Sequence, residues 1–159
     1  MKFDNEISLT FASISENESF ARICVAGFIM PLDPTIDELT DVKTAISEAV
    51  TNSIIHGYEG KDGEITLNLK RKDKTIYIEC VDNGTGITDI TQAREPLYTS
   101  KPEQERSGMG FTIMESFMDE VQVVSLKNIG TRILMSKNIG TTEELVSTSA
   151  STSDEEITA

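Results

Sequence analysis

The chain has 159 residues, a net charge of −13 and an isoelectric point near 4.4. That acidity argues against electrostatic binding to nucleic acid or to an anionic membrane, which needs clustered Lys and Arg. One His and two Cys make no zinc set, and no run approaches the ~20 apolar residues that span a bilayer. The length fits one domain with its own core and no need of disulfides. A nucleotide stays possible, because backbone N–H groups and a metal ion can hold its phosphates. A basic protein partner is equally compatible.

Ile7, Leu9 and Phe11 alternate with Ser8 and Thr10, the period of a strand. Ser15 and Glu18 have the spacing of a capping box. The helix they open runs to about Met30 and stops at Pro31, with Phe20, Ile23, Cys24, Gly27 and Phe28 among its apolar positions. Arg22 is its only basic residue and projects from a different face than Ile23 and Gly27. It is either a solvated surface side chain or a contact for a protein partner, since Arg is enriched at binding hot spots. Cys24 and Cys80 lie in apolar runs and read as buried free thiols in a reducing cytoplasm. The charged start, Met1 to Glu6, has no apolar signal core.

Asp33-Pro34 breaks the chain, and Thr35 with Glu38 forms a second capping box. The helix beyond carries Ile36, Leu39, Val42, Ile46, Ala49, Val50 and Ile54 inward. It ends at Gly57, a natural left-handed residue past a helix end. Glu48, Asn52 and His56 recur every fourth residue, which puts them on one face with neighbours roughly 5–6 Å apart at Cβ.

Glu64–Arg71 and Lys74–Asp82 read as strands joined by the short Lys72-Asp73 connection, hence antiparallel. Each has one apolar face, so helices should cover one side of the sheet. Asp82-Asn83-Gly84-Thr85-Gly86 follows, then a polar stretch over 87–106 broken by Pro96 and Pro102. Ser107-Gly108-Met109-Gly110 opens a third helix, with Phe111, Ile113, Met114, Phe117 and Met118 apolar. Strands over Glu120–Lys127 and Thr131–Lys137, joined by Asn128-Ile129-Gly130, complete a domain of residues 1–140. From Thr141 the chain is mostly Ser, Thr, Ala and acids, a composition that predicts a disordered acidic tail over 141–159.

Three features carry chemistry. A helix N-terminus after Gly108-Met109-Gly110 offers unpaired N–H groups to an anion, and glycine lets the backbone come close. Asp82 at a strand end, while ionised, only accepts hydrogen bonds. An exocyclic amino group suits it, and Gly84 and Gly86 leave room for a flat ring. The alternative is a plain Asp-Asn-Gly turn. Asn52 has a carbonyl suited to Mg²⁺, which prefers a few protein oxygens plus phosphates and waters. Glu48, one turn earlier, would sit near a terminal phosphate and could position or deprotonate an attacking hydroxyl. Arg106 could neutralise the γ-phosphate, and Lys101 could do the same. No Walker A sequence and no protein-kinase glycine loop occurs.

In order, Glu48-Ala49-Val50-Thr51-Asn52, Asp82-Asn83-Gly84-Thr85-Gly86 and Ser107-Gly108-Met109-Gly110-Phe111 resemble the N box and two glycine boxes of the GHKL superfamily. That superfamily contains gyrase, histidine kinases and mismatch-repair ATPases. Gly130-Thr131 looks like its late Gly-Thr element. The stretches 48–58, 96–103 and 105–115, with Glu18–Arg22, are similar to the small bacterial anti-sigma factor serine kinases, sporulation type included, over about residues 5–138. The resemblance implies an α/β fold, an α+β two-layer sandwich with a mixed, mostly antiparallel sheet covered on one face by helices. It implies a cytoplasmic homodimer that phosphorylates a serine of an anti-anti-sigma factor with Mg-ATP and sequesters an RNA polymerase sigma factor. Carried over by residue, it places Asp82 on the adenine amino group, Asn52 on Mg²⁺, Glu48 as catalytic base and Arg106 on the γ-phosphate. Gly84, Gly86, Thr99, Lys101, Ser107, Gly108, Met109, Gly110 and Thr131 would line the nucleotide, and Arg22 would meet protein partners. His56 gains no catalytic role; a packed or capping imidazole is the expectation. Three alternatives remain open: a general-stress-type anti-sigma kinase, a histidine-kinase-like domain acting in trans, and a module that uses ATP only as a switch.

Overall fold

The computed structural model describes residues 2–87 and 110–140. Five alternating segments build one sheet: β1 (Asn5–Ala12), β2 (Glu64–Lys72), β3 (Thr75–Asp82), β4 (Glu120–Leu126) and β5 (Gly130–Asn138). Their order is β1-β2-β3-β5-β4, and all four pairings are antiparallel. The two-layer α/β expectation holds, but the parallel pair of a mixed sheet is not found among the described residues. The physical reason is the short turn after β4, which sends β5 back between β4 and β3. The β2–β3 turn also sits one residue later than expected, because Lys72 pairs with Thr75.

The register sets Leu67 opposite Cys80 and Cys80 opposite Ile133, so one face collects the apolar side chains. Ile65, Leu67, Leu69, Ile76 and Ile133 are buried there. The other face is polar. Ser8 donates to Asn68 at 2.7 Å, Asn68 donates to Glu79 at 2.7 Å, and Arg132 pairs with Glu79. One apolar and one wet face is what an antiparallel sheet tolerates.

Among the described residues three helices cover the apolar face: α1 (Glu16–Ile29), α2 (Ile36–Asn52) and α3 (Gly110–Phe117). α2 lies between the other two and touches both. Its Val42, Ala45, Ile46, Ala49 and Val50 are fully buried. α3 contributes Phe111 and Met114, and Met118 follows it. A 3-10 turn, Met30–Leu32, absorbs Pro31 after α1. No described helix is long and apolar enough to cross a membrane.

Some expectations fail for packing reasons. α1 buries Ala21, Val25, Phe28 and Ile29, while Phe20 and Ile23 are 53% and 68% exposed. α1 is apolar on more than one side, and its small residues, Ala21 and Val25, give α2 the closer approach. Ile36, the first residue of α2, is 82% exposed. Ser15 makes no cap: it is itself helical, at φ −57° and ψ −35°. Glu18 instead lies 3.3 Å from Arg22 and accepts from the Ser47 hydroxyl. Cys80 is buried and Cys24 half-buried, and both are free thiols. Burial pushes the Cys80 thiol up to about 12. The expected tail over 141–159 lies outside the described residues.

The second capping box forms as the sequence predicts. Glu38 N–H donates to Thr35 Oγ1 at 3.1 Å, and Thr35 N–H donates to Glu38 Oε1 at 3.0 Å. Glu38 Oε2 also accepts from Gly140 N–H at 2.8 Å, tying the start of α2 to the chain beyond β5. Burial pushes the Glu38 carboxyl up, but the Thr35 and Gly140 bonds outweigh it and hold the group below its ordinary 4.5. The folded state therefore binds this proton less readily than the unfolded chain. The stability this adds is present above pH 4.5 and lost as pH falls through the lower folded value. Thr35→Ala should cost about 1 kcal/mol in urea unfolding at pH 7. The deficit of Glu38→Ala should shrink as unfolding is measured at successively lower pH below 4.5.

Candidate functional site

The inward positions of β3 run Ile76, Ile78, Cys80, and then Asp82. A carboxylate thus occupies a place the strand pattern gives to a core residue, and it is 2% exposed. The Ser53 hydroxyl donates to its Oδ2 at 2.8 Å, and Gly84 N–H donates to its Oδ1 at 3.0 Å. Desolvation raises its pKa above the ordinary 3.8; hydrogen bonds from Gly84, Ser53 and the Thr131 backbone oppose that but do not offset it. Thr131 pairs directly with Asp82 across β5, so both side chains point to the same face. Thr131 is also buried.

The end of α2 comes against this acid through an irregular turn. The regular helix stops at Asn52, and Ser53–Gly57 winds wider, with Tyr58 N–H donating to Ser53 O at 2.9 Å. Gly60 N–H then reaches Ile54 O at 3.0 Å. The left-handed residues are Glu59 and Gly60, at φ 54° and 73°, and not Gly57 as expected. Gly57 is needed for closeness. A Cβ there would lie 2.9 Å from the Asp82 carboxylate, and one on Gly84 would lie 2.0 Å from Gly57 O. The wide turn also removes His56 from the stripe expected of it, since α-helical spacing ends before it. Wide turns of this kind are frequent at functional sites.

The turn serves the segment after β3. Thr85 N–H donates to Gly57 O at 2.8 Å and Thr85 Oγ1 to His56 O at 3.1 Å. The Tyr58 hydroxyl donates to Glu64 O and accepts from Asn83 N–H. On the other side, Asn128 N–H donates to Thr85 O at 2.6 Å and Ile87 N–H to Ser125 Oγ at 2.6 Å. Residues 82–87 are therefore pinned between the α2 turn and the β4–β5 hairpin.

Glu48 and Asn52 lie one turn apart on α2, both half-buried. The Asn52 amide makes no hydrogen bond among the described residues. No three His, Cys, Asp or Glu gather to hold a metal among the described residues. A single amide oxygen fits an ion held mainly by phosphates and water, such as Mg²⁺. Gly110 is the first residue of α3 and half-buried. Arg106, Thr99, Lys101, Ser107, Gly108 and Met109 lie outside the described residues. Arg22 stands apart on α1, beside Glu18 and donating to Ser19 Oγ at 3.1 Å.

The structure thus brings Asp82, Gly84, Gly86 and Thr131 together against the end of the helix that carries Asn52. Reading the sequence missed Ser53 and Ser125. Ser53 had a faint signal, a hydroxyl just before Ile54 and Ile55. Ser125 also had one, at an inward position of β4 after Val121 and Val123.

Residues 30–137 match the histidine kinase-like ATPase domain family. An anti-sigma F factor of Clostridium kluyveri is 60% identical over 135 residues, 85% of this chain and 95% of that protein. An anti-sigma F factor of Bacillus subtilis is 53% identical over 142 residues, 89% of this chain and 97% of that protein. The chain belongs to the anti-sigma F factor family. The fold is shared with a crystal structure of the RsbU and RsbW domains of Rv1364c from Mycobacterium tuberculosis. The TM-score is 0.61 at 15% identity, over 85% of this chain and 32% of that one. In this chain the ATPase match takes in Glu48, Asn52, Asp82 and Thr131, and Arg22 precedes it.

The glycine contacts give a graded prediction. Gly84→Ala meets rigid backbone and should destabilise the protein by about 1–3 kcal/mol in urea unfolding, as overpacking does. Gly57→Ala meets the movable Asp82 side chain and should cost less. Equal losses would contradict the packing described.

Proposed function

We propose that the chain is an anti-sigma factor and protein serine kinase. It binds Mg-ATP between α2 and the 82–87 segment, phosphorylates a serine of an anti-anti-sigma factor, and holds an RNA polymerase sigma factor of the sporulation sigma-F type inactive. The observation that carries the reading is Asp82, a buried acid with accepting capacity left, facing the helix of Glu48 and Asn52. A buried carboxylate of raised pKa in a cleft is costly to keep unless a ligand uses it. The names of the relatives support the sigma-F type over a general-stress homologue.

In this reading Asp82 accepts from the adenine amino group, and Gly84 and Gly86 let the ring approach. Thr131 lies beside the base. Asn52 supplies a carbonyl to Mg²⁺, which when bound shields the phosphate charge. Glu48 takes the proton of the attacking serine hydroxyl. Arg106 and Lys101 neutralise the γ-phosphate, and Thr99, Ser107, Gly108, Met109 and Gly110 complete the cradle. The unit that does this is residues 1–140, in the cytoplasm. Arg22 contacts the protein partners. The exposed row of Phe20 and Ile23 on α1 and Met30 just past its end supports a homodimer, because it offers apolar area for a second copy.

Glu48→Ala should retain ATP within a few-fold in calorimetry but lose phosphate transfer by about 10²-fold or more, the scale of a general base. The readout is acid-stable label on serine after incubation with labelled ATP and the anti-anti-sigma protein. Transfer unchanged in Glu48→Ala would reject its role, and acid-labile label on a partner histidine would reject serine specificity.

Asp82→Asn leaves one unmatched buried contact, which costs roughly 1–3 kcal/mol and should weaken ATP about tenfold or more. Ligand accepted by the ionised acid lowers its pKa. The affinity of the parent protein should therefore fall as pH drops through the raised value of the free protein, above 3.8. Asp82→Asn should lack that fall.

A further inference from the structure

Ser125 has three polar neighbours and one proton. Its Oγ accepts from Ile87 N–H at 2.6 Å, stands 3.2 Å from Gly130 O, and stands 2.8 Å from Thr131 Oγ1. A hydroxyl has one donor and two lone pairs. The Ile87 bond uses one lone pair, so the proton goes either to Gly130 O or to Thr131 Oγ1. The choice fixes the role of Thr131. If Ser125 donates to Gly130, Thr131 spends its own proton on Ser125 and turns a lone pair to the crevice. If Ser125 donates to Thr131, the Thr131 proton is free to point at a ligand beside Asp82.

We propose that Ser125 is a specificity-determining positioning residue. By donating to Thr131 Oγ1 it makes Thr131 a hydrogen-bond donor to the ring nitrogen next to the amino group taken by Asp82. The inference rests on the nucleotide reading above. The adenine edge presents an amino donor and, beside it, the acceptor N1. Asp82 accepts only, and Thr131 in this state donates, so the pair is complementary to adenine. Hypoxanthine and guanine present an acceptor oxygen and a donor N1–H, the reverse at both places. The contact with Thr131 is the shorter of the two open to the Ser125 proton. An acceptor nitrogen at Thr131 favours it further, because only then does Thr131 keep a proton for the ligand. Ser125 touches no ligand in this arrangement; it acts through Thr131.

The test compares ATP with 1-deaza-ATP, in which N1 is replaced by C–H, by calorimetry on the full chain with Mg²⁺. Wild type should bind 1-deaza-ATP about tenfold more weakly than ATP, because a site built around a hydrogen bond rejects the analogue that lacks it. Ser125→Ala should bring that ratio down to about two- to threefold, because Thr131 is no longer held as a donor. Ser125→Thr keeps the hydroxyl and should restore the wild-type ratio; Thr131→Val should abolish it. Ser125→Ala also leaves the Ile87 N–H without its partner, but that loss weakens both nucleotides by the same factor. An unchanged ratio in Ser125→Ala overturns the inference, as does a wild-type ratio near one. If wild type binds ATP but does not tell the analogues apart, the nucleotide reading survives and the role of Ser125 falls. If wild type binds neither, the nucleotide reading itself falls and this inference goes with it.

Discussion

The arrangement depends on one buried charge. Asp82 occupies the last core-facing position of the central strand, where a leucine or valine would satisfy the pattern of Ile76, Ile78 and Cys80. Burial penalises its ionised form, and three hydrogen bonds only partly repay that penalty. An apolar residue would stabilise the fold more. That cost is what the proposed nucleotide reading rests on.

The cost of that charge explains the irregularity around it. The Ser53 hydroxyl reaches Asp82 because α2 gives way to a wider turn at that residue. The same turn presents Gly57 edge-on to the acid, and Gly84 closes against the Gly57 carbonyl. Carbonyls of His56 and Gly57 receive the Thr85 side chain and N–H. As in the last turn of any helix, these carbonyls lack a partner within the turn and are left for the segment after β3. The end of α2 is thereby joined to the strand end and the glycine turn.

The opposite wall is built with neutral hydroxyls. Ser125 and Thr131 lie on neighbouring strands and bond to each other, and Ser125 also receives Ile87. Charge on one side and orientable O–H groups on the other form a pattern that can tell a donor-acceptor edge from its reverse. The polar face of the sheet plays no part in this; its Asn68, Glu79 and Arg132 ladder is a solvated surface.

Much of the molecule was legible from the residues alone, for identifiable reasons. Alternation gave β1, β2 and β3, because a period of two survives any tertiary context that buries one face. Thr35 and Glu38 gave the start of α2, because a capping box is a local contact within one turn. Spacing also marked Asp82, Gly84, Gly86 and Asn52, since their side-chain chemistry is unusual for where they stand. Local pattern could not choose which face of α1 is buried, as Phe20 and Ala21 compete and packing against α2 decides. Nor could it foresee that Ser15 is bypassed, that Gly57 serves a contact and not a left-handed turn, or that every strand pair among the described residues is antiparallel. Those outcomes turn on distances between segments far apart in the chain. Sequence by itself determined the elements and the chemical types at the crevice. Only the tertiary structure decided which backbone groups close on Asp82 and which hydroxyls, Ser53 and Ser125, stand behind it, because a serine declares its partner only when another strand or helix comes within hydrogen-bond reach.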